Sequence, residues 1–369
     1  LPVSVMTKSD DYRVVIAVDP HKASWTAAAV DDQLQPLAAI RVPVSRDGYR
    51  ALRRFARHWP NASWAIEGAA GLGAPLTERL RADQITVIDV PAKLAARVRL
   101  LSTGHGRKND DADAISVGVA ALTSRTLTSV EIDAATSALR SIVEHRDDLV
   151  KIRTQTVNRL HIVLTRLVPA GAGRELTADQ AAELLRSVRP RDLAAKTLRT
   201  LAVDLISEVR QLDRRIKKAA LDIEAAVAAS GSTLTQLHGI GALTAGKILG
   251  RVGTITRFRS AAAFASYTGT APIEVSSGDV VRHRLSRAGD RQLNYCLHVM
   301  ALTQIRLNTP GRAYYLKKRS QGKGHKEAMR CLKRRLSDSV YRQLVRDATD
   351  MAAGPEGHPG TTLKSCVAS

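Results

Sequence analysis

Three strand-like runs come before any helical pattern, and this order restricts the fold more than anything else in the chain. Arg13–Val18 is a β-branched run ending at Asp19; Trp25–Val30 and Leu37–Val44 follow, with Asp31-Asp32 as the turn between them. A helical pattern over Asp47–Trp59 carries Tyr49, Leu52 and Phe55 on one side. Ser63–Ile66 is a short strand ending at Glu67, and the Gly/Ala-rich Gly68–Gly73 is a turn. Helix Pro75–Ala82, strand Ile85–Val90 and helix Ala92–Leu101 complete the series. A meander followed by β-α-β alternation specifies a mixed sheet flanked by helices rather than a purely parallel doubly wound one.

The middle of the chain changes character. From Ala134 to about Val168 the pattern is helical, polar and basic, and Pro169–Gly173 breaks it. Beyond Asp192, the residues Leu205, Val209, Leu212, Ile216, Ala219, Ile223 and Ala226 alternate in steps of four and three, the seam of a coiled coil. One intramolecular hairpin and a dimer interface satisfy this seam equally. The 369 residues thus divide into an α/β domain over 12–125, a helical coiled-coil arm over 126–229, a mainly helical domain over 230–346 and a disordered Gly/Pro-rich tail over 347–369.

Charge narrows the partners. The chain has 56 Lys and Arg against 35 Asp and Glu, a net +21, and between Arg251 and Arg346 alone there are 20 Lys and Arg against five acids. Such an imbalance points to nucleic acid, gripped through its phosphates. The three cysteines form no CxxC, which excludes a disulfide framework and a Cys-rich zinc site. No apolar run is long enough to span a bilayer and no signal peptide is legible, so the expected setting is cytoplasmic, away from membranes. Leu1 in place of Met makes Met6 a candidate start residue.

Four carboxylates are candidate metal ligands. Asp19 and Glu67 each end a strand, while Asp110 and Asp113, in the segment GRKNDDADAISVGVAAL, open an apolar helix and lie on one of its faces. Four hard oxygen donors suit one or two Mg²⁺ ions. Taken singly, Asp110 reads equally as a helix cap and Asp19 as a turn residue. Asp19 is followed by Pro20-His21-Lys22 with no glycine, which argues against an ATP pocket of the actin-like kind.

Near the other end, LHGIGALTAGKIL has the form of a helix-hairpin-helix. Gly239 and Gly241 allow a tight turn whose amides face a DNA phosphate, with Lys247 one turn further on. Ser276-Ser277-Gly278-Asp279 then sits between two β-rich flanks as a hairpin turn, followed by Arg282, His283, Arg284, Arg287 and Arg291. A serine in such a turn is ordinarily structural; surrounded by guanidinium groups, Ser277 is also a candidate nucleophile toward a phosphodiester.

These segments, VVIAVDPHKASW, the Glu67 stretch, GRKNDDADA, LHGIGALTAGKIL and TAPIEVSSG…HRLSRAGDRQLN, resemble in order the DEDD transposases of the insertion sequence 110 group, over residues 12–346. The segment after Glu67, GAAGLGAP, lacks the aromatic often present there. The resemblance implies a first domain of the ribonuclease-H-like fold, similar to Holliday-junction resolvases, in which Asp19, Glu67, Asp110 and Asp113 bind Mg²⁺. It implies a last, transposase domain in which Ser277 forms a 5′-phosphoserine link. It also implies a structured guide RNA pairing with donor and target double-stranded DNA, and a homo-oligomer, dimer or tetramer, that builds its site from different subunits. Lys108, Gly239, Gly241, Lys247, Arg282, Arg284, Arg287 and Arg291 are the expected nucleic-acid contacts. Two other readings use the same residues: a metal-dependent junction nuclease with water as nucleophile, and a nucleic-acid-binding protein without catalysis.

Overall fold

The computed structural model describes residues 13–69, 71–103, 110–124, 127, 129–130, 133–169, 171–275, 283–284, 286 and 289–353. The chain divides into two compact units, Leu1–Ile132 and Asp133–Ser369.

In the first unit, β1 (Val15–Pro20), β2 (Ser24–Val30) and β3 (Pro36–Pro43) form the expected antiparallel meander. Strands β4 (Ser63–Glu67) and β5 (Val87–Val90) extend it from β1 in parallel, so the sheet order is β3-β2-β1-β4-β5. Every residue of β1 and β2 is buried because helices cover both faces. The pleat sorts the side chains by parity. Ile16, Val18, Trp64 and Ile66 point to α1 (Arg46–Ala56) and α2 (Ala74–Ala82), where Leu52, Leu76 and Leu80 complete one core. Val15, Ala17 and Ala65 point the other way, to α3 (Ala92–Thr103) and α4 (Asp110–Thr123), against Ala95, Val117 and Ala120.

Helix α4 packs directly on the sheet, and one residue permits it. A Cβ on Gly118 would come within 2.6 Å of Val30 Cγ2 and 3.2 Å of Ala17 Cβ. Together with the small Ala114, Ala120 and Ala121, this glycine seats the start of α4 beside the carboxyl end of β1. The unit continues past residue 125: Ser129 bridges Ile88, and the Val130 amide donates to the Val87 carbonyl.

The second unit is mostly helical. Helices α5 (Ala134–Leu167) and α7 (Leu193–Ala229), capped by Asp133 and Asp192, pack antiparallel along their length. Leu160 and Leu164 near the end of α5 meet Ala202 and Ile206 near the start of α7, with α6 (Ala178–Arg186) against the same end. Leu139 and Val143 at the start of α5 meet Ile223 and Val227. Arg153 pairs with Asp213 at mid-length. The apolar stripe of α7 is therefore covered from within the chain, by α5.

Among the described residues the unit continues through α8 (Ala242–Val252), α9 (Ala261–Tyr267), α10 (Arg291–Arg306), α11 (Pro310–Ser320) and α12 (His325–Ala353). Helix α8 is seated on both arm helices, Gly246 against Ile223 and Gly250 against Arg140, so the arm and the last helices share one core. Met329, Leu332, Leu336, Val340 and Leu344 of α12 run through it. The helix passes residue 346, where a tail was expected, and holds the buried carboxylate of Asp347. That group accepts from the Thr233 amide and the Ser232 hydroxyl, each at 2.9 Å, and from Thr233 Oγ1 at 2.5 Å. A two-stranded hairpin, β6 (Ile273–Glu274) and β7 (His283–Arg284), stands apart from the helices in kind. The segment 354–369 lies outside the described residues.

Candidate functional site

The parity of the sheet decides where the first-unit acids point. Asp19 follows Val15 and Ala17 on β1, and Glu67 follows Ala65 on β4, so both carboxylates project from the α4 face at the carboxyl ends of adjacent parallel strands. From α4, Asp110 and Asp113 lie on the side that carries Val117 into the core, and Asp113 is buried. The structure thus gathers the four expected acids at one end of one sheet. Burial raises the Glu67 carboxyl above the usual range, with the negative charges of Asp19 and Asp113 adding to the effect and Arg99 and His21 opposing it.

Three basic side chains that no local motif marks face these acids. Arg99 of α3 pairs with Asp113, and Arg41 of β3 reaches Asp110 at 2.8 Å. His21 Nε2 lies 3.2 Å from Asp19 Oδ2 and 3.5 Å from Asp110 Oδ1. Neither contact is aligned with the ring N–H, so Nε2 is a buried polar atom without a hydrogen bond. Among the described residues no three His, Cys, Asp or Glu side chains stand in ligating positions. The donor set nevertheless suits a hard divalent cation: the acids repel one another, and an orphaned nitrogen is lodged between two of them. Arg41 and Arg99 offset part of this negative charge.

In the second unit, the Gly-Ile-Gly turn is preceded by a single 3₁₀ turn, Leu234–Gln236, and followed by α8. Gly239 has φ +92°, and a Cβ there would lie 3.0 Å from the Met300 carbonyl, so the turn requires glycine. Gly241 is the N-cap of α8 and no side chain caps that end, leaving amides available to an anion. Lys247 points elsewhere than the sequence suggested. Its ammonium lies 2.6 Å from Asp147 Oδ2 of α5 with only 13% of the side chain exposed, so its charge is already met inside the unit.

Hairpin β6–β7 borders a cleft of about 660 Å³ between α10, α11 and α12. Arg284, Lys323, Arg330, Lys333 and Arg334 line it, and Arg284 is exposed. Arg291, at the first turn of α10, is exposed too. Ser277, Arg282 and Arg287 lie outside the described residues, as does Lys108.

A family model described as a transposase of the IS110 DEDD type matches residues 16–169, and a second, described as the transposase IS116/IS110/IS902 family, matches residues 231–316. The first stretch contains the four gathered acids, and the second contains hairpin β6–β7 and Asn294, while the α12 wall of the cleft lies beyond it. The chain belongs to the IS110 family of transposases. It is similar to an uncharacterized 44.8 kDa protein of insertion element IS116 from Streptomyces clavuligerus, 26% identical across 90% of this chain and 94% of that one. A 43.6 kDa protein of insertion element IS110 from Streptomyces coelicolor is also 26% identical, over 93% of this chain and 96% of its own. An IS900 protein of Mycobacterium paratuberculosis matches at the same identity. As an IS110-family transposase the chain acts on DNA in transposition, a form of recombination. Among its described residues no helix is long and apolar enough to cross a membrane.

Proposed function

We propose that this transposase cuts and rejoins DNA through a Mg²⁺-dependent, serine-mediated exchange, on a first domain of the ribonuclease-H-like kind. The observation that carries the reading is the convergence of Asp19, Glu67, Asp110 and Asp113 on one end of the sheet, with the His21 nitrogen buried and unsatisfied among them. The strand order β3-β2-β1-β4-β5 supports the fold assignment.

Asp19, Glu67, Asp110 and Asp113 would hold Mg²⁺, which supplies Lewis-acid stabilisation of charge building on the phosphodiester oxygens. For the acids to turn to a metal, Arg99 and Arg41 must release them. Ser277 is the nucleophile: its Oγ bonds to phosphorus, the P–O3′ bond breaks, and the departing oxygen takes a proton to leave a free 3′-hydroxyl. The 5′-phosphoserine conserves the energy of the broken bond, so the 3′-hydroxyl of the exchanged strand can displace serine without ATP. Arg282, Arg284, Arg287 and Arg291 stabilise the phosphoryl oxygens during both steps. The acids and the serine come from different subunits of a homo-oligomer, for which the α5–α7 hairpin is the bridging element.

An element-encoded structured RNA that pairs with donor and target DNA would select the sites, leaving the protein to grip backbones. A basic chain in which only 4% of residues are aromatic suits that division of labour. A suicide DNA substrate tests the chemistry. The wild-type protein is expected to become covalently joined to a 5′-phosphate in the presence of Mg²⁺, and Ser277→Ala to lose the adduct. Cleavage that persists in the alanine variant without any adduct would assign attack to water.

A further inference from the structure

Lys333 is set apart among the described basic residues of the second unit by its burial without a carboxylate partner. It projects from α12 into the cleft beside β6–β7, half-buried, and its Nζ donates to Asn294 Oδ1 at 2.5 Å. Asn294 is in turn fixed on α10, donating through Nδ2 to the Thr268 carbonyl at 2.9 Å and the Gly269 carbonyl at 3.2 Å. The ammonium is therefore held in place by a neutral acceptor, and among the described residues no carboxylate pairs with it. Three of its neighbours in the cleft are engaged in ion pairs. Glu327, an acid of the cleft wall, is bound by Lys323, and Arg334 is paired with Asp338. His298 of α10 is pushed toward its neutral form by burial and by Lys333 and His325.

A desolvated, unpaired ammonium is costly, and a lysine in that position lowers its pKa to escape the cost. Burial alone brings Lys333 down to about 8. The cost disappears when an anion enters, and the surroundings fit one: Arg284, Arg330 and Arg334 stand around the same opening as Lys333. The hairpin that forms one border carries, in its connecting segment, the serine assigned above as nucleophile.

We propose that this cleft is a seat for one phosphodiester of duplex DNA, with Lys333 as its buried cation and Asn294 as the group that positions Lys333. The assignment rests on the serine-transposase reading for the identity of the anion as DNA backbone, and on the cleft itself for the site. The entering phosphate replaces the missing carboxylate, and Lys333 takes up a proton as it binds.

Proton linkage provides a readout that a structural lysine would not move. Binding of a short duplex to the full chain is measured by calorimetry at pH 8 in two buffers of different ionisation enthalpy, with and without Lys333→Gln. Wild type is expected to take up about half a proton more than the variant, because a group with a pKa near 8 is half neutral before binding and charged after it. Lys333→Gln is expected to bind about tenfold more weakly and to show a salt slope shallower by about 0.9. Arg330→Gln, at an exposed position on the wall, gives a weaker loss of affinity with proton uptake retained, and stands in should Lys333→Gln fail to fold. Equal proton uptake and an equal salt slope in wild type and Lys333→Gln would overturn the proposal, as would a loss confined to RNA duplexes. A missing phosphoserine adduct with these linkages intact would instead remove the serine reading and leave the phosphate seat standing.

Discussion

Lys247 Nζ and Asp147 Oδ2 stand 2.6 Å apart, tying the helix after the Gly-Ile-Gly turn to the first helix of the arm. The pair is mostly shielded, and removing Asp147, which also meets Arg146 at 3.3 Å, strips the Lys247 ammonium of its carboxylate. Asp147→Ala is expected to destabilise the protein by about 3 kcal/mol in urea unfolding. Lys247→Met, which removes the charge and keeps the stem, should leave the salt slope of DNA binding unchanged. A slope shallower by about 0.9 in that variant would assign Lys247 to a phosphate in the complex.

Arg99 and Asp113 make a second pair, this time among the candidate metal ligands. Arg99→Ala should lower the melting temperature in the absence of divalent cations, since the acids then repel one another unopposed. The same variant should bind Mg²⁺ more tightly than wild type, because the metal no longer competes with a guanidinium. Calorimetric titration and thermal melts with added Mg²⁺ check both halves, and unchanged Mg²⁺ affinity would count against these acids as the ligand set.

Helix α4 presents Asp110 and Asp113 only while Gly118 lets it lie against Val30 and Ala17. Gly118→Val is expected to cost about 1–3 kcal/mol through overpacking and to weaken Mg²⁺ binding at a site it does not touch. Far-UV circular dichroism would stay close to wild type while the metal titration shifts.

Asp347 gathers Ser232, Thr233 and Gln343 at the junction of α7 and α12. Asp347→Ala strips a charged acceptor from several donors and should cost about 3 kcal/mol in stability, read as a lower midpoint of chemical unfolding.

Cys296 and Cys331 should differ in reactivity. Burial pushes the Cys296 thiol up to about 11, so at pH 8 it carries almost no thiolate. Peptide mapping after iodoacetamide treatment should find Cys296 unmodified in native protein and alkylated once urea unfolds it.

The sheet was largely legible because β1, β2 and β4 are apolar runs buried on both faces, and such runs announce themselves in composition. The four acids were legible for a related reason: each ends or begins a regular element. His21, Arg41 and Arg99 were not, since what makes them notable is proximity across strands and helices, and no local pattern encodes it. The arm shows the same limit. Its four-and-three spacing picked out Val209, Leu212, Ala219 and Ile223 of the buried stripe of α7 but took Leu205 and Ala226 in place of the buried Ile206 and Val227. The spacing is also the same whether the partner is α5 or another subunit. Only the pairing of Leu139 with Ile223 and of Leu160 with Ile206 decides that. Lys247 read as a phosphate contact because its partner lies a hundred positions earlier in the chain.

The alternation along β1 and β4 has a consequence for how this protein can change. Asp19 and Glu67 share an outlook because each lies an even number of steps beyond a core alanine, Ala17 and Ala65. Gain or loss of a single codon between either alanine and its acid would turn that carboxylate to the opposite side, toward α1 and α2. Pairs of codons would keep the orientation, so engineered or natural length variation near these strand ends should survive in twos, while the loops beyond tolerate any count.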